Sequence, residues 1–152
     1  MTVKIWSKVE PGNLLHQFFN SQHENDCRED LCSNAEFLQV ACIAANAGKT
    51  YRPHKHITLN RETDITQEVW IVVSGCARVT YYDLDGSVLR VQPLFQGSCS
   101  ITFRGGHSYE IMEDDTRIFE VKSGPYYGQA KDKVFLDGFW KNPTEPIARG
   151  KA

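Results

Sequence analysis

From residue 36 onward, turn-forming residues recur at roughly 8–12-residue intervals, and that spacing limits what the chain can fold into. The runs between them are short and rich in β-branched and aromatic side chains, as in Glu68-Val-Trp-Ile-Val-Val73 and Arg78-Val-Thr-Tyr-Tyr82. Comparable runs occupy 37–44, 88–93, 99–103, 108–112 and 116–122, with 134–136 as a last short strand. Gly75 closes one run, and Asp83-Leu-Asp-Gly86 reads as a hairpin turn because glycine takes positive φ at no steric cost. No long stretch carries helical periodicity, so an all-β barrel or sandwich is predicted.

A chain of 152 residues argues for one domain with an ordinary core. The N-terminal residues, 1–35, read as an irregular arm in which 14–19 is a short apolar cluster and 21–30 a polar loop. The barrel is expected over 36–136, and 137–152 is a proline- and charge-containing tail expected to fray. A net charge of −2 gives no basic field for nucleic acid or an anionic membrane. No run has the length of a membrane span, and the first residues lack the apolar core of a signal peptide. Five cysteines (Cys27, Cys32, Cys42, Cys76 and Cys99) with no CxxC pair suit reduced thiols in a cytoplasmic protein.

The chemistry-bearing residues cluster around a histidine pair. Segment 51–57 reads as a strand, with Pro53 placing it at an edge or bulge. Alternate side chains of a strand share a face, so Arg52, His54 and His56 project together. Two imidazoles, the carboxylate of Glu68 and a third imidazole from His107 make an N3O set suited to a divalent transition metal: iron, manganese, nickel, copper or zinc. Gln67 is a rival oxygen donor, and strand alternation lets only one of the neighbours 67 and 68 look inward. Arg52 is a candidate for binding an anionic substrate, or else a rim ion pair. Glu120 and Lys122 share a face opposite Phe119 and Val121; the apolar pair is expected inward, whereas a wet lumen would reverse the faces and make Glu120 and Lys122 catalytic candidates. Tyr109, two residues after His107, is a proton donor near the site or a packing residue. His16 and His23 are expected to be solvated in the arm.

Gly48, five residues, His54-Lys-His56, then Glu68, six residues, Gly75, resembles the first motif of the cupin superfamily, and Gly97 to His107 resembles the start of the second. The spacer of eleven residues between His56 and Glu68 is longer than that motif usually carries, and Phe103-Arg-Gly-Gly-His107 lacks its proline. Ile111 stands where the second motif ends in asparagine. The resemblance, over 36–136, implies a double-stranded β-helix (a jelly-roll barrel) with a metal inside held by His54, His56, Glu68 and His107. The spacing to Gly75 favours Glu68 over Gln67. The resemblance also implies a homodimer. Thr66-Gln-Glu-Val-Trp and Glu120-Val-Lys-Ser-Gly-Pro-Tyr are similar to small cupins associated with bacterial surface-polysaccharide and nucleotide-sugar biosynthesis. A sugar isomerase or epimerase acting on a polar small molecule is the leading expectation. A metal-dependent dioxygenase and a non-catalytic ligand sensor are the alternatives.

Overall fold

The computed structural model describes residues 1–20 and 27–136. Its strands are β1 (Thr2–Trp6), β2 (Leu14–Phe19), β3 (Cys27–Asp30), β4 (Ala41–Ala44), β5 (Glu68–Ser74), β6 (Cys76–Tyr82), β7 (Val88–Phe95), β8 (Cys99–Thr102), β9 (Gly106–Ile111) and β10 (Arg117–Lys122), followed by a single helical turn, α1 (Gln129–Asp132). The described residues form an all-β fold, and every strand pair among them is antiparallel. A five-stranded sheet runs in the order β1-β2-β8-β5-β10, a three-stranded sheet in the order β7-β6-β9, and β3 and β4 form a ribbon. The described strands do not close into a barrel. No described helix is long and apolar enough to cross a membrane.

The five-stranded sheet is covered on both faces. Phe19, Val69, Cys99, Ile101 and Phe103 pack with Leu31 and Cys32, which follow β3. The alternate residues Ile5, Phe18 and Val72 pack against Val79, Tyr81 and Leu94 of the three-stranded sheet. Period-2 alternation thus feeds two cores from one sheet. Its register aligns residues in rows. His16 pairs with Thr102, Thr102 with Glu68, and Glu68 with Lys122. The neighbouring row is Phe18, Ser100, Trp70 and Glu120. Both rows face the three-stranded sheet, which puts Glu120 and Lys122 on the inner side. Phe119 and Val121 point outward, 65% and 46% exposed.

Several expected elements differ. The N-terminal residues are not an irregular arm: β1 and β2 belong to the main sheet, and β2 lies between β1 and β8. His16 is not solvated but fully buried. Strand β2 buries polar groups on both faces, so its alternation is invisible as a hydrophobic pattern. His16 and Phe18 lie on one face and Gln17 on the other. Gln17 Nε2 donates to the Leu31 carbonyl. His16 Nε2 lies 2.9 Å from the Tyr82 carbonyl and Nδ1 lies 3.2 Å from Thr102 Oγ1. A carbonyl only accepts, so Nε2 carries the proton and the Thr102 hydroxyl donates to Nδ1.

The strand expected over 51–57 does not form. Residues 45–65 are exposed and contain no strand or helix. Pro53 has no N–H for a ladder. The run expected over 37–44 contracts to β4, because the Leu38 N–H donates to Gln67 Oε1 at 2.8 Å instead of to a neighbouring strand. Residues 134–136 form no strand. Of the expected polar loop 21–30, residues 27–30 are strand β3; His23, with the rest of that loop, and the tail 137–152 lie outside the described residues.

Two side-chain ties lock the N-terminal hairpin onto the three-stranded sheet. One is His16 to Tyr82. The other is Asp83, 1% exposed, whose carboxylate accepts from Ser7 Oγ at 2.5 Å and from the backbone N–H groups of Lys8, Val9 and Leu84 at 2.6, 3.3 and 2.8 Å. Burial would push this carboxyl up, but the four donors hold its pKa at about 2. Its carbonyl receives the Gly86 N–H at 3.0 Å, closing the expected turn with Gly86 at φ 81°. Gly105 is required by close approach: at φ 75°, a Cβ there would sit 2.8 Å from the Tyr82 oxygen and 2.9 Å from His16 Nε2.

Acid should therefore loosen the fold early. Burial holds the His16 pKa down to about 4 against its ordinary 6.5, so its contribution to stability is complete above pH 6.5 and is lost as pH falls through that window. The loss amounts to roughly 3 kcal/mol, measurable as a falling urea midpoint, and His16→Gln should flatten that part of the profile. Asp83→Ala should cost about 2–4 kcal/mol at neutral pH by stranding several donors; an unchanged denaturation midpoint would refute the tie.

Candidate functional site

A cleft of about 800 Å³ opens between the inner face of β5 and strand β9 and is walled by residues 132–136. At its floor, Glu68 of β5 and His107 of β9 meet across the two sheets, with His107 Nε2 3.2 Å from Glu68 Oε1. The same carboxylate oxygen accepts the indole N–H of Trp70, two residues along β5 and therefore on the same face. Burial pushes the Glu68 carboxyl up, but the hydrogen bonds from His107 and the Trp70 N–H outweigh it and hold the group below its ordinary pKa. Glu68 is thus an ionised carboxylate, 7% exposed, in partial desolvation. Because Nε2 faces a carboxylate, it carries the imidazole proton. The other ring nitrogen, Nδ1, is buried and has no hydrogen-bond partner among the described residues. An oriented imidazole with a spare lone pair is the arrangement of a proton acceptor.

The walls around this pair are set by strand register. Tyr109 lies on the same face of β9 as His107, and its ring stacks on Trp70 with centroids 3.8 Å apart and planes 3° from parallel. Its hydroxyl points away from the pair and donates to Ser100 Oγ at 3.0 Å, alongside the Tyr81 hydroxyl at 2.8 Å. Burial pushes the Tyr109 phenol well above its ordinary pKa. Tyr109 therefore holds Trp70 and the two sheets in place instead of presenting a proton to the cleft. Glu120 lines the cleft. Lys122 sits beside it at 3.9 Å, 3.6 Å from Asp132 and 4.4 Å from the ring centroid of Tyr126. Asp132 in turn accepts from the Thr66 hydroxyl at 2.9 Å, which fixes α1 against the start of β5.

Glu68, His107, Tyr109 and Glu120 thus come together in the cleft lining, with Lys122 behind them beside Glu120 and Asp132. Arg52, His54 and His56 do not join them: all three are exposed in the 45–65 segment, and none is among the residues lining the cleft. The His54 and His56 rings lie edge to face, centroids 5.4 Å apart with planes at 81°, and His54 Nδ1 donates to the Arg52 carbonyl at 3.0 Å. The four-residue donor set is therefore divided two and two, and among the described residues no three His, Cys, Asp or Glu side chains are grouped to hold a metal ion. As placed, these residues do not fit the expected N3O centre. Gln67 faces the opposite side of β5, where its amide donates to Glu36 Oε2 at 2.6 Å and accepts from Leu38. Glu36 also meets Arg104 at 3.1 Å. Trp70 was not anticipated as a site residue, although its i, i+2 relation to Glu68 on a strand was a usable signal. His16 gave no such signal.

Tyr109→Phe should cost about 1 kcal/mol in chemical denaturation, for the lost bond to Ser100, with the Trp70 emission of the folded state preserved. A large change in that emission at unchanged stability would mean that the hydroxyl serves the cleft instead.

Comparison with known proteins gives no match to a family model, a curated protein or a solved structure.

Proposed function

We propose that the chain is a cupin-type protein of jelly-roll ancestry whose cleft binds a polar small molecule, a carbohydrate or nucleotide sugar, and isomerises or epimerises it by proton transfer. The observation that carries this reading is the contact between Glu68 and His107 at the floor of a cleft of about 800 Å³. In such a step the Glu68–His107 pair takes a proton from the carbon next to a carbonyl, and the electron pair left behind forms an enolate. The proton then returns to the other face of the same carbon once the enolate has turned, or to the former carbonyl carbon while the neighbouring hydroxyl proton passes to the carbonyl oxygen, so substrate and product have the same atoms. Glu68 holds the imidazole in one tautomer and stabilises its protonated form, as a carboxylate beside histidine does. Trp70 keeps that carboxylate in place. Glu120 and Thr102, both in the lining, suit hydrogen bonds to hydroxyl groups.

A second reading, a metal-loaded protein, is favoured by one feature: the His54 and His56 rings already lie side by side, edge to face with centroids 5.4 Å apart. Two imidazoles in this relation are a half-site for a transition metal. Elemental analysis of untagged protein tests it. Stoichiometric metal in the wild type and none in His54→Ala/His56→Ala supports the reading, and metal retained by the double variant rules it out.

For the proton-transfer reading, a nucleotide-sugar and keto-sugar panel should raise the melting temperature. In D2O the protein should wash deuterium into the carbon beside the substrate carbonyl. His107→Gln and Glu68→Gln should each slow that exchange by about 100-fold or more. No exchange with any panel member that binds would overturn the proton-transfer assignment. Oxygen uptake with the same members would point to the dioxygenase instead.

A further inference from the structure

The cleft has a polar, buried floor and an apolar, exposed lip. On the floor Glu68 and Thr102 are 7% and 4% exposed. On the lip stand Ile65, Leu84, Val134 and Phe135, which are 38%, 43%, 86% and 66% exposed and line the same cavity. They come from three separate parts of the chain: the approach to β5, the tight turn between β6 and β7, and the segment after α1. Leu84 occupies a central position of the turn closed by Gly86, where small polar residues or proline are the usual choice. Large apolar side chains brought from separate segments to one rim mark a binding surface more than they mark packing.

The lip is also anchored to the floor. A Cβ on Gly106 would fall 2.5 Å from Leu136 Cδ1, so a glycine next to His107 lets the 134–136 segment lie directly against β9. The cavity is larger than one polar ring requires, since volumes near the upper part of the usual 300–1,000 Å³ range hold ligands of drug size. We infer that the ligand of this cleft has two parts: a hydroxylated head that reaches Glu68 and His107, and an apolar group attached to it that covers Ile65, Leu84, Val134 and Phe135. The identity of the head rests on the proton-transfer reading above; the apolar group rests on the lip alone.

Calorimetric titration with methyl, butyl and hexyl β-glucopyranosides, below their micelle concentrations, separates the two. Affinity should climb along the series by up to about fourfold per methylene, the fold-change corresponding to about 0.8 kcal/mol. Leu84→Ser and Phe135→Ala should each lower the hexyl-to-methyl affinity ratio at least fivefold. Glu68→Gln/His107→Gln should weaken methyl glucoside while keeping the ratio. A flat series in the wild type overturns the apolar subsite and leaves the proton-transfer reading standing. A rising series whose methyl member is unaffected by Glu68→Gln/His107→Gln keeps the subsite and removes the hydroxylated head.

Discussion

The register of β2, β8, β5 and β10 is the constraint on which the rest depends. It lines up His16, Thr102, Glu68 and Lys122 across four strands, with Phe18, Ser100, Trp70 and Glu120 in the next row. A slip of one residue in β5 would turn Glu68 and Trp70 to the outer face and bring Gln67 and Val69 inward. The cleft would then lose its carboxylate, and the outer core its valine. Burial on both faces is what forbids the slip: Val69 and Val72, 2% and 1% exposed, are each needed by a different core.

Polar side chains between the sheets survive there because each has a partner. His16 spans Thr102 and Tyr82, Asp83 gathers four donors, and Ser100 receives two phenols. An unpaired polar group in such a place costs as much as several good contacts provide. Against that background, His107 Nδ1 is the exception among the described residues, and it belongs to the residue that meets Glu68. The polar network also ties the floor together. Tyr109 is held by Ser100 and stacks on Trp70, Trp70 holds Glu68, and Glu68 orients His107, so each group is fixed by the one behind it.

Reading the chain for periodicity succeeded where one face of a strand was apolar or where a turn was chemically marked. The runs at 68–73 and 78–82 became β5 and β6, and Asp83 to Gly86 became a turn. It failed for β2, whose Leu-Leu-His-Gln-Phe-Phe puts a histidine and a glutamine into two different cores. It failed in the opposite sense at 51–57, where an edge strand with Pro53 is expected but the segment pairs with no neighbouring strand. A strand needs a ladder partner as well as a pattern, and sequence spacing says nothing about where that partner lies.

By itself, then, the sequence determined local matters: the all-β class, most of the strands after residue 67, the turn at Gly86, and the presence of a carboxylate and several imidazoles with the chemistry to move protons or bind a cation. Only the tertiary structure decided which of them meet. It joined Glu68 to His107 and Trp70, left His54 and His56 on an exposed segment, and turned Glu120 and Lys122 inward while Phe119 and Val121 faced out. The physical reason is that alternation fixes which residues share a face, whereas long-range strand pairing and burial fix which face looks at the cleft.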